Sequence, residues 1–531
     1  MFAVQHISYN QTNAFTKIVL DYLNGAGSLR DFYDELPTTE GIRATIEKKK
    51  HQNIDRETLV RVLREQYQQV TTPPEVQKNI DLLISPNTFT FCTAHQPNLF
   101  TGPLYFVYKI LHTIKLAHEF NQHMPGYQFV PVYYMGSEDA DFAELNHTYV
   151  DGKKIEWKKE QKGAVGRMIV DKTLVQLIDE LEGQLINEEH GEEVIGLLRK
   201  SYSNGKTIQQ ATFELLNELY GSYGLVVLIP DHHQLKARMQ DVFLNDLFEN
   251  TSSEIVQQTS EKLGAHYNVQ AHPREINLFY LKDDIRERII RKGNDFLVNN
   301  TKLKFTEEEI RTELQHHPER FSPNVILRGL YQETILPNLA FIGGGGEMAY
   351  WLQLKDLFHH YGIVYPVLVL RNSFLIVEKK WREKLERTGL NYTEIFHPVD
   401  ELMKKLVFKN SKHQVALNGN FEKAEVLFEE ISRQAGSIDP TLSIHVQALK
   451  ARSLKNLQEL EKKMMRAEKR KFSDQERQIQ AIKSVWFPGN GLQERKENFS
   501  GFYAKWGKGF IEALYQNSLS LEQEFTLLIE S

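Results

Sequence analysis

Short apolar runs, separated by helical patterns, dominate the first two thirds of the chain. They occur at residues 89–93, 129–135, 225–229, 339–342 and 364–370, and residues 1–10 are a further candidate strand. Apolar residues recur at helical spacing over 104–121, and residues 325–335 and 348–360 also favour helices. This alternation predicts an α/β fold with a doubly wound, parallel sheet.

Polar or glycine-rich residues follow at least four of these predicted strands. The clearest cases are residues 94–103, 136–142, 230–233 and 343–347. Ligands of open α/β sheets bind at the carboxyl ends of the strands, where such loops gather. The loops therefore mark the expected position of a functional site.

The remaining segments suggest three parts of the chain. Residues 1–375 form the predicted core, and stretches at about 158–222 and 250–322 are expected to be helical insertions, the second with some short strands. Residues 376–485 form a predicted helical arm, and residues 486–531 a C-terminal segment that packs back on the core. In that last segment, aromatic residues within 499–521 favour packing.

The arm carries the signature of a coiled coil. An amphipathic helix at 420–435 precedes a turn in which Asp439 is a plausible N-cap and Pro440 the first helical residue. A second helix is predicted from 441 to about 472. Its apolar residues follow heptad-like spacing in two blocks: Leu442, Val446, Leu449, and Leu457, Leu460, Met464, Ala467. The short turn predicts an antiparallel hairpin.

Composition narrows the functional classes. The 531 residues carry a formal net charge of -6, which lacks the basic excess expected of a nucleic-acid binder. The single cysteine, Cys92, allows neither an internal disulfide nor a cysteine-based zinc site, and its apolar surroundings predict a core position. Neither a signal-peptide pattern nor an apolar run long enough to span a bilayer is present. We therefore expect a cytoplasmic protein without a membrane partner.

The glycine run at 343–346 follows a predicted strand and precedes a predicted helix. Glycines there allow backbone amides to approach a phosphate or carboxylate, although a tight packing turn would use them as well. The run is not a P-loop, because no Gly-Lys-Ser/Thr follows it. Glu347, at the start of the helix, is expected to cap free amides or to contact a ligand amine.

Residues 137–141 place three carboxylates, those of Glu138, Asp139 and Asp141, after another strand. They are candidates for binding Mg²⁺, for holding a substrate amine, or for capping a helix. His95, directly after the first strand, is a candidate to hydrogen-bond a phosphate or hydroxyl, and a capping role is equally compatible with it. Histidines near 118–123, 231–233 and 359–360 lack the spacing or third ligand of a metal site.

Five segments, taken in order, resemble the BshC family over nearly the full length. They are TAHQPNLFTGPLY (93–105), PVYYMGSEDADFAELNH (131–147), SPNVILR (322–328), ILPNLAFIGGGGE (335–347) and LQER (492–495). The resemblance implies a Rossmann-like core of the nucleotidyltransferase type with helical connecting insertions, and a coiled-coil arm used in homodimerisation. It also implies the last step of bacillithiol synthesis, in which cysteine is joined through its carboxyl to the amine of glucosaminyl malate with ATP.

The resemblance also implies the site residues. The catalytic set would be His95, Glu138, Asp139 and Asp141, with either His95 or a carboxylate as the base and Mg²⁺ as a candidate ion. The remaining pocket residues would be Gln96, Asn98, Ser137, Asn146, Gly343, Gly344, Gly345, Gly346, Glu347 and Arg371. A second nucleotide pocket would use Asn490, Gln493, Glu494 and Arg495.

The chain departs from the nucleotidyltransferase pattern at two places. His95-Gln-Pro-Asn stands where those enzymes carry His-x-Gly-His, and their Lys-Met-Ser-Lys-Ser loop is absent. Activation of cysteine through an adenylate, releasing AMP, or through an acyl phosphate, releasing ADP, therefore both remain open.

Two other functional classes are compatible with the sequence. Asp139-Ala-Asp141 has the form of the metal-binding motif of nucleotide-sugar glycosyltransferases. A non-catalytic scaffold would instead use the coiled coil as its working part, although it would have no use for polar, glycine-rich strand ends.

Overall fold

The secondary structure follows the predicted alternation through most of the first half. The computed structural model describes residues 2–160, 162–411, 413 and 415–531. Met1, part of the candidate strand 1–10, lies outside these residues. The N-terminal elements, in order, are β1 (Phe2–Ser8), α1 (Lys17–Leu23), α2 (Thr39–Lys49), α3 (Arg56–Tyr67) and α4 (Pro74–Leu82).

The core elements follow. They are β2 (Thr88–His95), α5 (Tyr105–His123), β3 (Gln128–Met135), α6 (Phe142–Leu145), β4 (His147–Val150), β5 (Lys153–Glu156), α7 (Lys172–Leu185), α8 (Gly191–Ser201), α9 (Ile208–Tyr220), β6 (Val226–Leu228), α10 (His233–Lys236), α11 (Gln240–Phe248), α12 (Thr251–Gly264), β7 (Leu278–Lys282), β8 (Ile285–Lys292), β9 (Asp295–Val298), β10 (Lys304–Thr306), α13 (Glu307–His316), β11 (Phe321–Pro323), α14 (Val325–Ile335), β12 (Asn338–Gly343), α15 (Gly345–Trp351), α16 (Lys355–His360), β13 (Val367–Leu370) and β14 (Ser373–Val377).

Long helices form most of the C-terminal part. Its elements are α17 (Lys379–Thr388), α18 (Val399–Asn410), α19 (Asn418–Ile438), α20 (Pro440–Lys469), α21 (Ser473–Trp486), α22 (Phe499–Trp506), α23 (Lys508–Gln516) and β15 (Glu524–Glu530). Within the described residues, no helix has the length and apolarity that crossing a bilayer requires.

A five-stranded parallel sheet forms the centre of the core. Read from one edge, its strand order is β6-β3-β2-β12-β13, which is the Rossmann order 3-2-1-4-5 when these strands are numbered along the chain. The strands are buried on both faces, as a parallel sheet covered by helices requires. Phe89, Phe91 and Phe129 pack there against α5, and Cys92 is buried in β2, as predicted. The chain order reverses between β2 and β12, which makes this edge the expected ligand site.

The second insertion contains more strands than predicted, and its expected helical character is wrong over its second half. Residues 250–322 contain α12 and α13, but also most of an antiparallel sheet of order β10-β9-β8-β7-β11. Its strands are short, and charged residues interrupt the apolar alternation, as in Ile285–Lys292 (IRERIIRK). The first insertion, 158–222, contains helices α7 to α9.

The chain divides into two compact units. The first contains nearly all residues up to Ile376 together with Gly491–Leu528, and the second contains Val377–Asn490 with short flanking pieces. In the second unit, α19 and α20 form an antiparallel hairpin, shown by the pairs Lys450–Glu429 and Ser443–Ser432. Asp439 caps α20 by accepting a hydrogen bond from the Thr441 amide at 2.8 Å, which confirms the predicted N-cap.

Candidate active site

A cavity of about 700 Å³ lies at the carboxyl ends of β2, β3 and β12. The predicted residues that line it are His95, Gln96, Ser137, Glu138, Asp139, Gly344, Gly345, Gly346, Glu347, Arg371 and Arg495. The parallel sheet thus brings together loops that are more than 200 residues apart in sequence. The antiparallel sheet contributes Phe279, Arg286 and Arg288 to another wall.

His95, at the end of β2, is held in a fixed position. Its carbonyl oxygen accepts hydrogen bonds from the Tyr133 hydroxyl at 2.8 Å and the Gly136 amide at 2.7 Å, while Tyr105 Oη lies 3.3 Å from its ring Nε2. Burial lowers the pKa of His95 well below its usual value, and nearby cations including Lys109 lower it further. The imidazole is therefore neutral at physiological pH.

Glu138 lies in a buried ion pair. Its Oε1 contacts the Lys236 ammonium, which is fully buried and also donates to the Glu319 carbonyl oxygen at 2.9 Å. Burial raises the pKa of Glu138 above its usual value, although Lys236 opposes the shift. This carboxylate is a stronger base than an exposed glutamate.

Asp139 faces different partners from its neighbour. Its Oδ2 accepts a hydrogen bond from Gln96 Nε2 at 3.0 Å, and its Oδ1 lies 3.6 Å from an Arg286 guanidinium nitrogen. Burial favours a raised pKa for Asp139, but Arg286, the Gln96 hydrogen bond and Arg328 outweigh it and lower the pKa. Asp139 therefore stays ionised beside a cation.

Several predicted residues shape the loops without lining the cavity. Asp141 caps α6 by accepting from the Glu144 amide at 3.2 Å, and Asn146 Nδ2 donates to the Trp157 carbonyl oxygen at 3.1 Å. Asn98 is buried against the turn at Gly102, where an added Cβ would lie 2.7 Å from Asn98 Cβ.

The three carboxylates of residues 138–141 thus diverge towards separate partners. Across the described ranges, no group of three His, Cys, Asp or Glu side chains could hold a metal ion together. Asp139 contacts Gln96 and Arg286, whereas Asp141 caps α6, and these partners do not favour the metal-binding motif of a glycosyltransferase. The ionic partners already present satisfy two of these carboxylates.

The glycine run combines packing with cavity lining. An added Cβ at Gly343 would lie 2.6 Å from the Phe341 ring, so packing alone requires glycine at this position. The Gly344 amide donates to Glu347 Oε2 at 2.8 Å, and Lys109 forms an ion pair with the same oxygen. Gly344 is the N-cap of α15, and Gly345 and Gly346, the first two residues of this seven-residue helix, also line the cavity.

Arg371, just after β13, connects the cavity to the C-terminal segment. Its guanidinium donates to Glu494 Oε1 at 2.7 Å and to Ser373 Oγ at 3.0 Å. Its Nε is buried and has no hydrogen-bond partner among the described residues. This donor lies close to Gly344, where an added Cβ would be 3.7 Å away.

Three of the four residues predicted to form a second nucleotide pocket have separate surroundings in the structure. Gln493 holds Ile376 by a hydrogen bond to its amide at 3.0 Å, and Glu494 is buried behind Arg371. Arg495 lines the main cavity. Asn490 belongs to the second unit.

Sequence reasoning missed much of the basic wall. Among the described residues, seven Lys or Arg side chains line the cavity against four carboxylates. The missed members are Lys109, Arg274, Arg286, Arg288 and Arg328. Lys109 did carry a signal, because it interrupts the apolar stretch that includes Val107, Ile110 and Leu111, and it is buried in α5.

A second buried carboxylate organises one wall of the cavity. Asp246 on α11 accepts hydrogen bonds from the Asn277 amide at 2.6 Å and side chain at 3.0 Å. Asn277 in turn accepts from the Arg274 amide at 3.0 Å and from Asn324 Nδ2 at 3.0 Å. Burial raises the pKa of Asp246 to about 7. The position of Arg274 therefore depends on a carboxylate that titrates near neutral pH.

Two family models match the chain. One, described as "Bacillithiol biosynthesis BshC, N-terminal Rossmann-like domain", covers residues 2–372. The other, described as "Bacillithiol biosynthesis BshC, C-terminal coiled-coil domain", covers residues 374–530. Both the resemblance and the predicted combination of a Rossmann-like core with a coiled coil are confirmed.

Relatives match over the whole length. A protein of Flavobacterium johnsoniae is 39% identical over 98% of this chain and 99% of its own length. One of Christiangramia forsetii is 39% identical, with 98% of each chain covered, and one of Cytophaga hutchinsonii is 37% identical, with 97% of each covered. Each is named "Putative cysteine ligase BshC". The chain belongs to the BshC family of bacillithiol biosynthesis.

Proposed function

We propose that the chain is an ATP-dependent ligase that joins the carboxyl group of cysteine to the amine of glucosaminyl malate. The names of the relatives support a cysteine ligase. The cavity at the switch point of the Rossmann sheet supplies a suitable site. Because ATP is a cytoplasmic substrate, we also place the reaction in the cytoplasm.

The charge pattern of the cavity is the observation that carries the proposal. The substrates bring anions, namely the malate carboxylates and the ATP phosphates, together with amines. The basic wall formed by Arg286, Arg328 and Arg371 suits the anions, since guanidinium groups bind carboxylates and phosphates in bidentate geometry. Glu138 and Asp139 lie in the same cavity and suit an ammonium group.

The reaction forms one amide bond between the cysteine carboxyl carbon and the glucosamine nitrogen. Activation first converts the carboxylate to an adenylate, with loss of pyrophosphate, or to an acyl phosphate, with loss of ADP. The amine then attacks, its proton goes to a base, and AMP or phosphate leaves. Both routes need a base beside the amine.

Glu138 is the better candidate for this base. Burial raises the pKa of Glu138 towards the range in which a carboxylate accepts a proton efficiently. Burial and surrounding cations instead lower the pKa of His95, so its ring is a weak base. We assign His95 a hydrogen-bonding role towards substrate.

Metal ions fit this proposal only as companions of the nucleotide. No shared ligand set is built from the carboxylates of the described residues. Mg²⁺ bound to ATP phosphates would need few protein ligands, because it usually keeps several waters.

The second unit supports homodimerisation. Its hairpin exposes a row of large apolar side chains, namely Val426, Leu427, Ile431, Ile438, Leu442, Ile444 and Leu449. Contiguous exposed apolar surface favours association. Light scattering is expected to show that Ile444→Glu is a monomer. The control variant Lys455→Glu, which changes an exposed charged residue, is expected to remain a dimer. A monomeric unmodified protein would contradict the proposal.

The central test uses purified protein with glucosaminyl malate, cysteine, ATP and Mg²⁺. Mass spectrometry is expected to find bacillithiol, with AMP indicating an adenylate and ADP an acyl phosphate. Glu138→Gln is expected to lower transfer by about 100-fold or more. The exposed Glu188→Gln serves as the matched control. Absence of product with the unmodified protein, or full activity of Glu138→Gln, would refute the assignment.

A further inference from the structure

A buried lysine contacts Glu138 from behind the cavity. Lys236, at the end of α10, is fully buried. Its ammonium has three N–H donors and faces three acceptors. These are Glu138 Oε1, Asp231 Oδ1 at 3.4 Å and the Glu319 carbonyl oxygen at 2.9 Å. A fully satisfied lysine of this kind is fixed in one position.

Arg167 completes the arrangement from the outside. It binds Asp231 through two hydrogen bonds, from Nε at 2.7 Å and from a terminal nitrogen at 2.9 Å. The adjacent Gly166 amide donates to the Ser137 carbonyl oxygen at 2.8 Å, one residue before Glu138. Charges therefore alternate along Glu138, Lys236, Asp231 and Arg167. The loop that carries Arg167 is hydrogen-bonded to the loop that carries Glu138.

We infer that Lys236 is a positioning residue for Glu138, and that Asp231 and Arg167 hold Lys236 in place. The inference rests on the proposed function, in which Glu138 accepts the proton of the substrate amine. Lys236 engages Oε1, and Glu138 lines the cavity, so Oε2 is the oxygen available to that amine. Asp231, which is not a predicted metal ligand because the 231–233 cluster lacks a third ligand nearby, thereby acquires a role.

Lys236 and Asp231 also influence the pKa of Glu138. Burial raises the pKa of Glu138, Lys236 lowers it, and Asp231 raises it again. The other groups facing Glu138 are Arg286, Arg167 and the phenols of Tyr134 and Tyr331. Loss of the lysine removes the main opposition to burial, so Glu138 would become protonated at a higher pH.

The test is a double-mutant cycle on cysteine transfer. Lys236→Gln is expected to lower kcat/KM by about 100-fold at neutral pH, with the acidic limb of the pH profile moved upwards. In a Glu138→Gln background the same substitution is expected to cause no further loss, because a residue that acts only through Glu138 is not additive with it. Lys236→Arg is expected to recover part of the activity. Arg238→Gln, which alters a surface pair with Asp55 at 3.7 Å, is the control.

Each outcome decides the inference. Additive losses in the cycle, or an unshifted acidic limb in Lys236→Gln, would overturn it while leaving the proposed function intact. If Lys236→Gln does not fold, the partly exposed Arg167→Gln takes its place, with an expected loss of about 10-fold and the same upward shift. An unmodified protein that makes no product defeats the proposed function itself, and the inference falls with it.

Discussion

Gly166→Ala tests the close contact between the two loops behind the cavity. A Cβ at residue 166 would lie 2.5 Å from both Ser137 Cβ and the Ser137 carbonyl oxygen. Neither atom can rotate away, so the loop must move. Overpacking of this kind costs about 1–3 kcal/mol. Weakening the hydrogen bond from the Gly166 amide to Ser137 adds about 0.5–1.5 kcal/mol.

The expected result is a loss of both stability and transfer activity. Thermal unfolding should show a midpoint several degrees below that of Gly196→Ala. This control adds a methyl group to α8 in the same unit, where nothing lies within 4 Å of the new Cβ. Alanine stabilises an exposed helix interior by up to about 1 kcal/mol relative to glycine. Equal midpoints and equal activities of the two variants would refute the reasoning.

Three further predictions concern other charged groups. Arg371→Met is expected to cost about 3–5 kcal/mol in urea unfolding, because it leaves the Glu494 carboxylate buried without its cation. The double variant Arg371→Met/Glu494→Leu should recover most of this lost unfolding free energy. An equal loss in the single and the double variant would contradict the pairing. Burial raises the pKa of Asp246 to about 7, so the folded state keeps a proton that the unfolded state loses near pH 4. Stability should therefore fall by up to about 4 kcal/mol between these pH values, and Asp246→Asn should flatten the dependence measured by urea midpoints. Asp439→Ala removes the cap on the Thr441 amide and should cost about 1 kcal/mol, seen as faster amide exchange in the first turn of α20; unchanged exchange would contradict it.

Sequence patterns predicted the parallel sheet better than the antiparallel one. The strands around Phe91 and Val132 are buried on both faces, so they appear as runs of apolar residues and threonine without acidic or basic residues until His95. Strand β8 carries Arg286 and Arg288 into the cavity, so its pattern is polar where a buried strand would be apolar. The sequence pattern of such a strand, whose side chains line a binding site, does not distinguish it from other polar segments.

Sequence reasoning could not predict the ion pairs that join residues distant in the sequence. Glu138 and Asp139 are neighbours, yet one pairs with Lys236 and the other with Arg286. Lys236 lies on α10 and Arg286 on β8, and the local sequence around Glu138 and Asp139 gives no indication of either contact. The sequence therefore predicted that the acidic residues are close together, but it did not predict that Glu138 and Asp139 form two separate ion pairs. Asp141 shows the opposite case, since its role as a cap is purely local.

The sheet of order β1-β15-β14 has a consequence for synthesis on the ribosome. Its middle strand is the last of the three to be made, and Thr526 Oγ1 in that strand lies 3.2 Å from His6 Nδ1, 520 residues away in the sequence. At about 5–20 residues per second, the first strand waits roughly half a minute to two minutes for its neighbour. During that interval β1 presents an unpaired edge, which is the kind of surface that chaperones cover. Chains released early by stalled translation would keep that edge open permanently.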